Sequence, residues 1–240
     1  MSKPDSAGAV LSVRRLFKAY PRRSLFGRAV IETHAVQNVD LDLASGETLA
    51  IVGSSGAGKT TLGRCIAGLE QPSSGEIRYC GDAITPANAH RHIQMVFQDA
   101  GASLNPRFTV TEALCEPALI QSRGVWTGRM VPELLGQVGL LASVANRSTS
   151  ELSGGQKARL AIARALAALG SQAPAVLILD ESLGSLDLST RAQIINLLVD
   201  LQQQQALTYI LITHDAALAA HMADQIVVMS GGKIVERRNA

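Results

Sequence analysis

Apolar and polar positions alternate over residues 11–17 and again over 36–43, a period of two that predicts strands of a sheet with one solvated face. Residues 48–52 form a short apolar strand, 53–58 a glycine-rich loop, and 59–69 a helix that Gly68 and Pro72 help to end. Residues 93–97 predict another strand. Over 109–141 apolar residues return at helical spacing, which predicts a helical insert with Pro117 and Pro132 as helix starts or breaks. A helix at about 155–169, a buried strand at 176–179 and a helix at about 190–204 follow. The strand 209–213 and the pair 225–229 and 233–236, joined by Gly231-Gly232, complete a largely parallel sheet, so the chain reads as α/β. There is no internal repeat.

Composition narrows the function. With 240 residues and 47% apolar content the chain can bury a full core, as one large or two small domains. The net charge of +2 is mild, and 3% aromatics leave few rings to stack on bases, which argues against a single-strand nucleic-acid binder. The basic stretch from Arg14 to Arg28 reads as a solvated surface or as an electrostatic contact to lipid headgroups or nucleic acid. Cys65, Cys80 and Cys115 lack paired spacing and fit reduced thiols in the cytoplasm. No secretory leader is expected after Met1. The most apolar region, 160–179, is broken by Arg164, Gly170, Gln172 and Pro174, so any membrane span must come from other chains.

Gly53-Ser54-Ser55-Gly56-Ala57-Gly58-Lys59-Thr60 fits the phosphate-loop pattern, followed by Thr61, between a predicted strand and a predicted helix. Glycines let backbone N–H groups point inward at phosphate oxygens, and the helix start adds positive potential. Lys59 supplies a charge to the β- and γ-phosphates, and the Thr60 hydroxyl can ligate Mg²⁺. Asp180 ends an apolar strand where it can hold the Mg²⁺ shell. Glu181, one residue on, can polarise a water for in-line attack; an acidic cap on the following turn is the plainer alternative. His214 has the same strand-end placement and can reach the γ-phosphate, although a lone histidine is more often structural. His90 and His92 could be a metal pair, but no third ligand stands near them. Leu152-Ser153-Gly154-Gly155-Gln156 is a second glycine-rich turn opening a helix, hence a second anion site. Two half-sites suggest that two chains share each nucleotide.

The phosphate loop, Gln98 after an apolar strand, the 152–156 turn, Asp180-Glu181, Ser185-Leu186-Asp187 and His214 stand in the order found in ATP-binding cassette (ABC) ATPases, which the chain resembles from about residue 11 to 237. The resemblance implies a single domain with a RecA-like P-loop NTPase core at about 1–98 and 155–240. It also implies an antiparallel β subdomain and an inserted α-helical subdomain at about 99–154. ATP and Mg²⁺ are the implied cofactors. By the same resemblance Tyr20 stacks on adenine, Gln98 contacts Mg²⁺ and the attacking water, Glu181 is the general base and His214 the γ-phosphate switch. Ser153, Gly154, Gly155 and Gln156 close over ATP held by the opposite subunit, and Asp187 lies across that interface.

A finer similarity rests on Gln94-Met95-Val96-Phe97-Gln98-Asp99 followed by Ala102-Ser103-Leu104-Asn105-Pro106-Arg107, with Gly63-Arg64, Glu116-Pro117 and the long segment between Tyr20 and Ala35-Val36. These resemble the ATPases of dipeptide, oligopeptide and nickel importers. The similarity implies a second ATPase chain (a different chain, or a copy of this one), two transmembrane permeases, an extracytoplasmic solute-binding protein, and a peripheral place on the cytoplasmic face of the membrane. No nucleic acid is expected. The end at Ala240 looks more like the compact nickel or opine-metallophore branch. Ser182 stands where the family has proline, and Ala100-Gly101 replaces a proline-containing pair. Neither change removes a phosphate, metal or proton-transfer group, so hydrolysis is expected, with a more mobile turn after Glu181. A soluble ABC ATPase of DNA repair or translation would need a long heptad-rich insert or a second cassette. A small-molecule kinase leaves 152–156 unexplained, and the 94–107 stretch disfavours an exporter.

Overall fold

The fold is that of a computed structural model, which describes residues 8–23, 30–99, 101–120, 130–170, 174–184 and 186–239. Expectations placed on Met1, Arg28, Ala100, Gln172, Ser185, and parts of the 20–36 segment and the 109–141 insert fall outside the described residues.

Strands β1 (Ala9–Arg23) and β2 (Val30–Ala44) pair antiparallel and run longer than the alternation predicts. The period of two also slips inside β1. Arg15 adopts φ 45° and the pairing jumps between Val13 and Leu16, so these residues, three apart, are both buried. The Asp40 carboxylate accepts the Arg15 N–H at 2.8 Å and fastens the bulge. Next come β3 (Thr48–Val52) and α1 (Lys59–Ile66), which stops short of residue 69 because Gly68 turns at φ 70°. The strands β4 (Ser74–Tyr79) and β5 (Asp82–Ala83) have no clear sequence signal, since only Ile77 and Tyr79 of β4 are buried. They complete a four-stranded antiparallel sheet in the order β2-β1-β4-β5.

The chain continues through β6 (Ile93–Val96), α2 (Val110–Ile120), α3 (Met130–Gln137), α4 (Gly154–Leu169), β7 (Val176–Asp180), α5 (Leu188–Gln205), β8 (Thr208–Thr213), α6 (Ala216–Met222), β9 (Gln225–Ser230) and β10 (Lys233–Asn239). A six-stranded sheet in the order β10-β9-β3-β8-β7-β6 is parallel except at the β10 edge. Both of its faces are covered, which is why its strands read as unbroken apolar runs. Leu177, Leu179, Tyr209 and Leu211 pack with α4 and α5, while Ile178, Ile210 and Ile212 pack with Leu62 and Ile66 of α1 and with β1 and β2.

Pro117 corrects one expectation, because it lies inside α2 instead of bounding it. A proline within a helix costs about 3 kcal/mol through its missing N–H and ring clash. Here the residue is buried, and beside it Arg164 of α4 binds Glu116 at 2.6 Å, so tertiary contacts carry the helix through. Pro132 sits in the first turn of α3, where an N–H has no intrahelical partner to lose. Helix α6, seven residues rich in alanine, is also absent from the periodicity. No helix among the described residues is long and apolar enough to cross a membrane.

Candidate active site

Strand register gathers the chemistry. Val52 pairs with Thr213, Ile212 with Asp180 and Leu179 with Val96, so β3, β8, β7 and β6 end together. Gly53, His214, Glu181 and Gln98 therefore leave the same carboxyl edge, where open α/β sheets bind ligands.

The loop from Gly53 to Gly58 joins β3 to α1 and is packed from behind. Gly58 has φ 99°, and a Cβ there would stand 2.0 Å from the Ala35 carbonyl oxygen, so no side chain fits. Ala57 is buried while Ser54, Ser55 and Gly56 are exposed. No side chain caps α1 and no acidic residue occupies its first turn, which leaves its N-terminal donors and dipole directed at an incoming anion. Lys59 is only 5% exposed. Its ammonium donates to the carbonyls of Gly53 (2.8 Å) and Ser54 (3.0 Å) and stands 3.7 Å from Glu181 Oε1. An anion in the loop would compete with these weaker acceptors for a full charge.

Thr60 donates its hydroxyl to Asp180 Oδ1 at 3.0 Å. Burial pushes the Asp180 carboxyl above the usual range, with the Thr60 hydrogen bond pulling the other way. Among the described residues no cluster of three or more His, Cys, Asp or Glu forms a metal cage. Two hard oxygens this close fit Mg²⁺, which keeps waters and takes one or two protein ligands beside substrate phosphates. Thr60 and Asp180 would hold it, and the ion would supply charge neutralisation at the phosphate oxygens.

Glu181 adopts φ 46° directly after β7. Its N–H bonds to the Ile212 carbonyl at 2.9 Å and its own carbonyl accepts from the Gly184 N–H at 3.0 Å. The carboxylate thus lies between Lys59 and His214, whose Nδ1 is 3.5 Å from Oε2. His214 keeps 67% of its side chain exposed, and Gln98 is exposed beyond β6.

The remaining candidates sit elsewhere. Ser153 caps α4 in a reciprocal capping box with Gln156, and in the described hydrogen bonds the two bond each other and not the phosphate loop. Gly154 faces Leu186, and Gly155 lies so close to Thr190 that a Cβ would meet its methyl at 2.6 Å. Asp187 caps α5 by accepting from Thr190 N–H at 2.9 Å, which holds its carboxyl below the usual range. Tyr20 donates its hydroxyl to Glu70, and Lys18 Nζ lies 4.9 Å from its ring centroid. Burial and then Glu70 raise its phenol, with Thr61 opposing. His92 stacks on Tyr79 at 4.3 Å, a ring contact that the metal-pair reading did not foresee.

Sequence reasoning passed over Arg191. Its Nη2 donates to the Gly184 carbonyl at 3.2 Å and its Nη1 lies 3.5 Å from Asp215 Oδ2, so it touches the turn behind Glu181 and the residue after His214. Only its place in the first turn of α5, after the Asp187 cap, could have drawn notice.

The ABC transporter family model matches residues 36–184. The chain is 44% identical over 236 residues to the glutathione import ATP-binding protein GsiA of Salmonella typhimurium, covering 95% of this chain and 37% of that protein. It is 42% identical over 234 residues to the probable D,D-dipeptide transport ATP-binding protein DdpF of Escherichia coli, covering 96% and 72%. The chain thus spans little more than a third of the glutathione-import relatives' length. Among solved structures it resembles the ATP-binding cassette MJ0796 in a dimeric post-hydrolysis state bound to ADP and Pi, with TM-score 0.80 and 28% identity over 95% of this chain and 98% of that one. It also resembles cbiO1 of Clostridium perfringens, part of the ABC transporter complex cbiONQ, with TM-score 0.77 and 28% identity over 97% and 89%. With more than half of its length matched by the family model and a 42% identical relative covered over 72%, the chain belongs to the ABC transporter family.

Proposed function

We propose that this chain is the ATP-hydrolysing subunit of an importer for short peptides or peptide-like ligands. The observation that carries the reading is the meeting of Lys59, Thr60, Asp180, Glu181 and His214 at one sheet edge. ATP phosphates lie along the Gly53 to Thr61 loop, and Tyr20 is the adenine contact. Thr60, Asp180 and Gln98 would hold Mg²⁺, which would neutralise charge on the phosphate oxygens. Glu181 takes a proton from water as the water oxygen attacks the γ-phosphorus and ADP leaves, and His214 orients the γ-phosphate. The 152–156 turn, with Ser153, Gly154, Gly155 and Gln156 beside Asp187, serves nucleotide held by a second cassette, as the dimeric relative supports. The RecA-like core at about 1–98 and 155–240 and the helical subdomain at about 99–154 move against each other in this scheme.

The partners are a second ATPase chain, different or identical, and two membrane permeases, with a solute-binding protein supplying cargo. The chain sits on the cytoplasmic face of the membrane. A groove of about 210 Å³ lined by Met95, Phe97, Pro117, Ile120 and Arg164 supports a permease contact, since Leu119 and Ile120 beside it are exposed apolar side chains. Relatives named for glutathione and D,D-dipeptide favour peptides. Nickel and opine-type metal chelates are the second cargo class, on the similarity of residues 94–107. ATP turnover per mole of full chain tests the shared site: a rate that rises with chain concentration supports it, and a concentration-independent rate contradicts it.

A further inference from the structure

Ser182 follows Glu181 in the turn after β7. The residue is 5% exposed, and its Oγ is buried with no hydrogen-bond partner among the described residues. The same is true of Arg191 Nε. Two buried polar atoms left unmatched are costly, and native structures commonly satisfy such atoms with ordered water. Both residues line one cavity of about 30 Å³, which Thr213 and Asp215 share. That exceeds the roughly 10–15 Å³ a single water needs, and Ser182, Arg191, Thr213 and Asp215 are the polar residues of its lining beside Glu181 and His214.

Glu181 and His214 themselves form part of the cavity wall. Arg191 binds the Gly184 carbonyl, and Gly184 N–H returns to the Glu181 carbonyl at 3.0 Å. On the other side Arg191 pairs with Asp215, which follows His214 and caps α6 through the Ala217 and Leu218 N–H groups. One planar guanidinium therefore spans both turns, a geometry the point charge of lysine cannot copy. We propose that a buried water joins Ser182 Oγ to Arg191 Nε, and that this makes Arg191 a positioning residue that holds Glu181 against His214 during ATP hydrolysis. The inference rests on the hydrolytic role given to Glu181 above.

The test is steady-state ATP turnover by the full chain carrying Ser182→Ala, Arg191→Met, both together, or Arg191→Lys, with melting curves for each. Arg191→Met should lower kcat about tenfold with KM for ATP within about threefold, Ser182→Ala about threefold, and Arg191→Lys should fall between Arg191→Met and the unsubstituted chain. Because either change removes the water, the double variant should be within about twofold of Arg191→Met alone. Multiplicative losses, an unchanged kcat in Arg191→Met, or kcat that falls only in step with melting temperature overturn the proposal. Glu181→Gln in the same series separates the two layers: normal turnover there removes the hydrolytic reading itself. Lost turnover in Glu181→Gln beside normal turnover in Arg191→Met overturns the water-linked positioning alone.

Discussion

Nδ1 of His214 stands 3.5 Å from Oε2 of Glu181, so residues that follow two neighbouring strands already form a pair beside the phosphate loop. If Glu181 is the base, Glu181→Gln keeps the shape of the site and removes the proton acceptor. ATP turnover should fall by roughly 10²–10⁴, the usual worth of a general base, while ATP still binds. Rapid-quench kinetics with direct binding measurements check both halves.

Lys59 is held by two backbone carbonyls and by Glu181. Its transfer to phosphate oxygens should contribute about 1.5–3 kcal/mol, the worth of a charged hydrogen bond, so Lys59→Ala should weaken ATP roughly 10- to 150-fold. Titration calorimetry measures this. An unchanged affinity would place the phosphates elsewhere.

The Asp180 carboxyl is raised above its ordinary value of 3.8 by burial. The folded chain therefore binds this proton at higher pH than the unfolded chain does, and the residue's contribution to stability improves as pH falls through the raised value towards 3.8. At neutral pH the buried charge is a burden, so Asp180→Asn should melt higher than the unsubstituted chain when nucleotide is absent. That gap should close on acidification through the same window. A gap independent of pH in paired melting curves would show that Asp180 is not the source.

Gly155 and Thr190 leave no room between them, because a Cβ at 155 meets the Thr190 methyl at 2.6 Å. Gly155→Ala should cost about 1–3 kcal/mol, the range for overpacking, and lower the melting temperature by roughly 2–4 °C for each kcal/mol. Adding Thr190→Ser deletes the methyl and should recover most of the loss. No recovery would mean that the strain lies in the turn's backbone.

The parallel strands at Thr48–Val52, Val176–Asp180 and Thr208–Thr213 were legible because both faces of that sheet are covered, which leaves unbroken apolar runs. Ser74–Tyr79 was not, since it shows the core only Ile77 and Tyr79. Pro117 misled because its cost is offset by contacts with α4 that no local window contains. The phosphate loop is a contiguous motif and could be read directly. Arg191 was missed for the opposite reason: its partners Gly184 and Asp215 stand 7 and 24 positions away on different turns, and only folding brings them to one guanidinium.

On the proposed function, Ser153 and its glycine-rich turn complete a nucleotide site belonging to another cassette. Sedimentation velocity of the Glu181→Gln chain with MgATP, alone and with Ser153→Arg added, checks this sharing of the site. Loss of the Ser153 cap costs only about 1 kcal/mol, so the double variant should remain folded. The expected result is an ATP-dependent dimer that Ser153→Arg abolishes. A dimer that survives Ser153→Arg with undiminished affinity would contradict it.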